Sequence, residues 1–123
     1  MATVFIFDDD QIILDLLRTV LNDAGHTSLA AARPEALEDE AKPDLIITDL
    51  VPLKAYHRAA ALGWITSLRE HFPGIPLLII SAHADAATEP DLLGADAVMT
   101  KPFDVEVLLS TIERLTGHIR KTP

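Results

Sequence analysis

Two short apolar runs in this chain each end on a carboxylate. Val4-Phe5-Ile6-Phe7 leads straight into Asp8-Asp9-Asp10, and Leu45-Ile46-Ile47-Thr48 into Asp49. Runs this short, apolar throughout and rich in β-branched residues predict strands covered on both faces, as in a parallel sheet between layers of helices. A third run covers residues 77–80, and weaker ones cover 27–30 and 97–99. Parallel strands deliver their C-terminal ends to one edge of the sheet, so the carboxylates gather there. A cluster of like charges of that kind calls for a cation.

Helical patterns lie between the runs. Ile13, Leu16, Leu17, Val20 and Leu21 share one face of a helix that Gly25 stops. Val105, Leu108, Leu109, Ile112 and Leu115 share a second, with Asp104 as N-cap and Gly117 beyond its end. Pro34 suits the first turn of a helix over 35–41, which Lys42-Pro43-Asp44 then breaks. Strand followed by helix, five times over, predicts a doubly wound α/β sheet with helices on both faces. The chain has 123 residues, 49% of them hydrophobic, enough for one core. The expectation is one domain over 1–123, with its core at 3–117 and a solvated end at 118–123.

Composition removes several function classes. A net charge of −9 argues against direct binding to nucleic acid, whose phosphates are met by Lys and Arg. Without cysteine there is no disulfide framework, thiol nucleophile or zinc–thiolate site. The four-residue run at 4–7 is no signal peptide, and no run approaches the roughly 20 residues that span a bilayer. These readings predict a soluble, cytoplasmic protein with no membrane contact. His26, His57, His71 and His118 show no metal-site or triad spacing.

Four strand ends bring chemistry to one edge: Asp8 and Asp9 after the first, Asp49 after the third, Ser81 after the fourth, Lys101 after the fifth. Three carboxylates so close need a hard divalent cation, and few protein oxygens with retained waters suit Mg2+. A carboxylate facing that ion can attack phosphorus, while Lys101 and the Ser81 hydroxyl meet charge on the equatorial oxygens of a loose transition state. The chemistry indicated is phosphoryl transfer onto an aspartate.

Taken together, Phe7-Asp8-Asp9-Asp10, Ile47-Thr48-Asp49-Leu50, Ile80-Ser81-Ala82, Gly94-Ala95-Asp96 and Thr100-Lys101-Pro102-Phe103 resemble the receiver domain of two-component response regulators. The resemblance spans almost the whole chain. It implies a flavodoxin-like fold with strand order 2-1-3-4-5 and a regulatory phosphoacceptor rather than an enzyme. Asp49 would accept the phosphoryl group from a histidine kinase or a phosphotransfer protein and signal to a downstream partner protein. Asp8 and Asp9 would form the acidic pocket for Mg2+, with Asp9, Asp49 and the backbone carbonyl of Val51 as ligands. Ser81 would be the switch hydroxyl, Lys101 the ion-pair partner of the acidic site, Ala82 the small residue that leaves access, and Lys101-Pro102 a cis peptide. The resemblance singles out no oligomeric state.

The chain also departs from that pattern. Pro52 follows the acceptor by three residues instead of four, and the first glycine, Gly63, comes at fourteen instead of eight. About six residues are therefore inserted within 53–62, and their alanine content predicts extra helix ahead of Gly63-Trp64-Ile65. Tyr56, His57 and Arg58 would border the site. The segment 81–94 is short and broken by Pro90, which predicts a short or irregular helix there. The family's aromatic switch position falls on Val98, so no rotating ring relays the movement of Ser81. His83 lies where the family tunes phosphoryl lifetime, although a solvated loop histidine suits it as well. Trp64 reads as core or interface packing, Asp10 and Asp39 as solvated charge. Two alternatives accompany the switch: a degenerate receiver acting as a phosphorylation-independent interaction module, and a small haloacid-dehalogenase-like phosphatase with Asp8 as nucleophile and Asp10 as acid.

Overall fold

In the computed structural model, residues 2–8, 10–31, 33–37, 42–49, 58–81, 95–101 and 103–120 are described, with backbone alone at 58, 61 and 118–120. Each apolar run is a strand: β1 (Thr3–Phe7), β2 (Thr27–Ala31), β3 (Leu45–Thr48), β4 (Leu77–Ser81) and β5 (Ala97–Thr100). All pairings are parallel, in the order β2-β1-β3-β4-β5. This is the flavodoxin-like arrangement that the motifs implied. The three central strands are almost wholly buried, as runs without polar alternation require.

Side chains alternate across the sheet and build two cores. Val4, Ile6, Leu45, Ile47, Leu78 and Ile80 pack with Leu17 and Leu21 of α1 (Gln11–Asp23) and with Leu108 and Ile112 of the helix α3 (Val105–Arg120). Phe5, Phe7, Ile46, Leu77 and Ile79 pack on the other face with Ile65 and Leu68 of α2 (Arg58–His71), with Phe72 just past its end and with Leu37. Phe72 meets the Phe5 ring edge-on at 5.5 Å. Full burial of side chains of this size stabilises the fold by about 1.5–3 kcal/mol each.

The helix ends follow from local chemistry. Asp10 is the N-cap of α1, its carboxylate accepting from the N–H groups of Ile12 at 3.0 Å and Ile13 at 3.4 Å. Gly25 takes φ of 90° just past the helix, a conformation that glycine adopts without strain, and its N–H donates to the Asn22 carbonyl at 3.0 Å. Asp104 caps α3 through the N–H groups of Glu106 at 2.8 Å and Val107 at 3.3 Å.

Four expectations need correction or qualification. Leu16 is exposed and Leu14 takes its place against the core, because Ile13, Leu14, Leu17, Val20 and Leu21 cluster around one helical direction and Leu16 lies about 100° away from it. Val105 is exposed in the first turn of α3, and among the apolar side chains described there only Leu108 and Ile112 reach full burial. Gly117 lies inside α3 rather than beyond its end, since the helix continues to Arg120. Pro34–Leu37 forms a 3-10 turn instead of the first turn of an α-helix, and 38–41 lie outside the described residues. The extra helix ahead of Gly63 is present from Arg58 onward. The segment from Ala82 to Gly94, with Pro90, lies outside the described residues.

Candidate functional site

Parallel pairing carries the ends of β1, β3, β4 and β5 to one edge, and the backbone locks them in register there. The Asp49 N–H donates to the Phe7 carbonyl at 2.9 Å, tying the residue that follows β3 to the last residue of β1, next to Asp8. The Lys101 N–H donates to the carbonyl of buried Ser81 at 2.9 Å, which ties the lysine to the end of β4. Asp8, Asp49, Ser81 and Lys101 thus occupy the edge where their strand-end positions predicted them.

Lys101 closes the cluster. Its Nζ lies 3.0 Å from Asp49 Oδ2 and 3.1 Å from Asp8 Oδ2, so one ammonium bridges both carboxylates. Asp8 is the deepest of the three at 3% exposure, against 14% for the Lys101 side chain and 16% for that of Asp49. The second oxygen of Asp8, Oδ1, accepts from the Asp10 N–H at 2.9 Å, which fixes the carboxylate at both ends.

The charges pull in opposed directions. Burial pushes the Asp8 carboxyl above its ordinary value of 3.8, a rise that the nearby Asp49 charge reinforces and the bonds from Asp10 and Lys101 only partly offset. Burial works against the Lys101 ammonium as well, but its hydrogen bonds to Asp49 and Asp8 outweigh that and hold it above its ordinary 10.5. The lysine therefore stays charged across the physiological range, facing two acidic groups that are not neutralised by one ammonium.

Two residues of the site escaped the sequence reading. Buried Thr48 donates through Oγ1 to the Asp49 carbonyl at 2.6 Å and lies 3.3 Å from the Phe7 carbonyl, while the indole Nε1–H of Trp64 donates to that same Oγ1 at 2.8 Å. Trp64 also packs edge-on against Phe7 with ring centroids 6.4 Å apart, in keeping with its expected packing role. A polar residue inside the apolar run 45–48 was the available signal for Thr48; nothing in the sequence linked it to Trp64.

Asp9 and Val51 lie outside the described residues, as do Tyr56, His57, Ala82, His83 and Pro102 and the side chain of Arg58. Among the described residues no group of three Asp, Glu, His or Cys side chains is gathered for a metal. The donor set that is described, two carboxylates converging on one point, consists of the hard oxygens that Mg2+ prefers. Asp10 gives this cluster only its backbone N–H, its carboxylate being turned onto the start of α1. A dehalogenase-like phosphatase would need that carboxylate in the cluster as its acid.

A doubly wound parallel sheet with paired carboxylates and a lysine at its carboxyl edge defines a class of α/β domains that carry their functional site at that edge. The response regulator receiver domain family matches residues 4–113, and the chain belongs to it. It is 29% identical to the DNA-binding transcriptional regulator NtrC of Proteus hauseri over 98% of this chain and 26% of that protein. It is 31% identical to the DNA-binding dual master transcriptional regulator RpaA of Synechocystis over 100% of this chain and 52% of that one. The chain thus spans a quarter to a half of the length of these relatives. The Francisella response regulator 1452 receiver domain superposes with a TM-score of 0.75 at 22% identity, covering 97% of this chain and 99% of that one, a likeness of fold. Receiver domains are the regulatory phosphoacceptors of two-component signalling and generally bind Mg2+ at the phosphorylation site. Among the described residues no helix is long and apolar enough to cross a membrane.

Proposed function

We propose that Asp49 is the phosphoacceptor and that the chain acts as a single receiver domain, core 3–117, in a two-component phosphorelay. A carboxylate oxygen of Asp49 forms the new O–P bond as the N–P bond of a phosphohistidine on a histidine kinase or phosphotransfer protein breaks, and the imidazole leaves with the electron pair. The observation that carries this reading is the Lys101 ammonium held 3.0 Å from Asp49 and 3.1 Å from Asp8. A fixed cation beside the acceptor can follow negative charge onto the transferred group without reorganising. Asp8, Asp9, Asp49 and the Val51 carbonyl would hold Mg2+, which supplies charge neutralisation for the phosphoryl oxygens. Buried Ser81, adjoining Lys101 through its carbonyl, is the switch hydroxyl of this reading.

Output passes to a downstream partner protein, and the setting is cytoplasmic. The DNA binding in the names of NtrC and RpaA belongs to those proteins; at a net charge of −9 this chain is assigned no direct contact with nucleic acid. A second reading, the phosphorylation-independent module, is favoured by Val98, an aliphatic residue packed against the Phe5 and Phe7 layer where the family has its aromatic switch.

Intact-mass measurement after incubation with a small phosphodonor and Mg2+, on wild type and Asp49→Asn, tests the proposal. One added phosphate that disappears in Asp49→Asn and on chelation of the metal is the expected result. A wild type that takes up no phosphate leaves the interaction module in its place.

A further inference from the structure

We propose that Trp64 and Thr48 are positioning residues that hold Asp49 ready for phosphoryl transfer and couple it to helix α2; the inference rests on Asp49 being the acceptor. Trp64 touches the residue immediately before each carboxylate of the site: its ring meets Phe7, which precedes Asp8, and its Nε1–H bonds Thr48, which precedes Asp49. The direction of the hydrogen bonds follows from donor chemistry. An indole N–H can only donate, so Thr48 Oγ1 accepts at 2.8 Å and must aim its single proton elsewhere. The Asp49 carbonyl, 2.6 Å away, is the nearer of its two acceptors.

The result is a chain from indole to hydroxyl to the main chain of the acceptor, and bonds in series within a buried setting strengthen one another. The Asp49 peptide is gripped from its other side by the 2.9 Å bond between its N–H and the Phe7 carbonyl. With both sides of the residue held, the direction in which its carboxylate leaves the backbone toward Lys101 is set by Trp64 as well as by the sheet. Trp64 is the seventh residue of α2, a helix that begins five residues ahead of Gly63, so a displacement of that helix pulls on the acceptor's backbone. Orientation of a reacting group enters the transfer rate directly.

Trp64 is the only tryptophan of the chain, so tryptophan emission reports the surroundings of this indole alone. The test compares wild type, Thr48→Val, Thr48→Ser and Trp64→Phe for phosphorylation by a small phosphodonor with Mg2+, read by intact mass, and for the change in tryptophan emission on phosphorylation. Thr48→Val and Trp64→Phe are expected to lower the maximal rate roughly fivefold, the effect of losing one ordinary hydrogen bond, with the half-saturating donor concentration unchanged. Thr48→Ser, which keeps the hydroxyl, is expected to restore the rate, and the emission change of wild type to vanish in Thr48→Val. Should Thr48→Val fail to fold, Trp64→Phe decides the question, because its ring still packs on Phe7. Equal rates in wild type, Thr48→Val and Trp64→Phe, or an emission change retained in Thr48→Val, would overturn the coupling and leave the acceptor assignment standing. A wild type that accepts no phosphate would overturn both.

Discussion

At the amino edge of the sheet, Asp44 and Asp96 each stand just before a strand and close a reciprocal pair with the first residue of the strand beside it. The Asp44 N–H donates to the Thr3 carbonyl at 2.8 Å and its Oδ2 accepts the Thr3 N–H at 2.8 Å. Asp96 repeats the arrangement with Leu77, at 2.9 and 2.8 Å, and adds Arg69 at 3.3 Å. At the carboxyl edge Asp8 and Asp49 converge instead on one ammonium, and burial holds Asp8 above its ordinary range. The same side chain therefore serves two ends. Where a carboxylate meets the backbone donor of a paired strand it stabilises the sheet, and where two meet over a single lysine, burial makes ionised Asp8 costly.

The sharpest way to break that contrast is to remove the shared counter-ion. Lys101→Met leaves two carboxylates together in a largely buried setting and is expected to cost about 2–3 kcal/mol at neutral pH in urea denaturation. The loss should shrink as the pH falls and Asp8, whose carboxyl is held above its ordinary value, protonates; a cost unchanged by pH would mean that the lysine works by packing. At the opposite edge Asp96→Ala strands the N–H of buried Leu77 and is expected to cost about 2 kcal/mol, whereas Asp96→Asn, which keeps an acceptor oxygen, should retain most of the stability. Equal losses in both variants would place the contribution in the Arg69 ion pair instead.

The smallest effect has the opposite sign. With its carboxyl raised above 3.8, folded Asp8 binds its proton more tightly than the unfolded chain does. The stability linked to this group is therefore fully present at acid pH and falls as the pH rises from 3.8 through the folded value, so ionised Asp8 is a net cost at pH 7. Asp8→Asn is expected to melt above wild type at pH 7, with the gap closing as the pH falls below 3.8. A variant that melts lower at pH 7 would show the bond to Lys101 outweighing burial.

The strands were legible because buried parallel strands are apolar over most of their length, and the observed β3 coincides with the run at 45–48. Phase was harder in α1, where Ile12, Ile13, Leu14, Leu16 and Leu17 offer apolar groups in several directions and the sheet selects one. Gly117 read as a stop, yet the backbone of α3 carries through it, local preference giving way to context. Asp8, Asp49 and Lys101 were legible because each follows a strand. Trp64 with Thr48, and Asp96 with Leu77, depend on how separate elements pack and register, which no local pattern encodes.

Because neighbouring residues along each strand face opposite layers, the sheet separates two sets of core side chains that scarcely share a partner. Energetic effects of substitutions in the Leu17, Leu21, Leu108 and Ile112 layer should add to those in the Phe5, Leu68 and Phe72 layer with little interaction between them. Such a chain can drift on one face while the other stays as it is. Its evolvability is partitioned by the sheet, and the side that carries Trp64 is free to acquire its own character without renegotiating the side that carries α1 and α3.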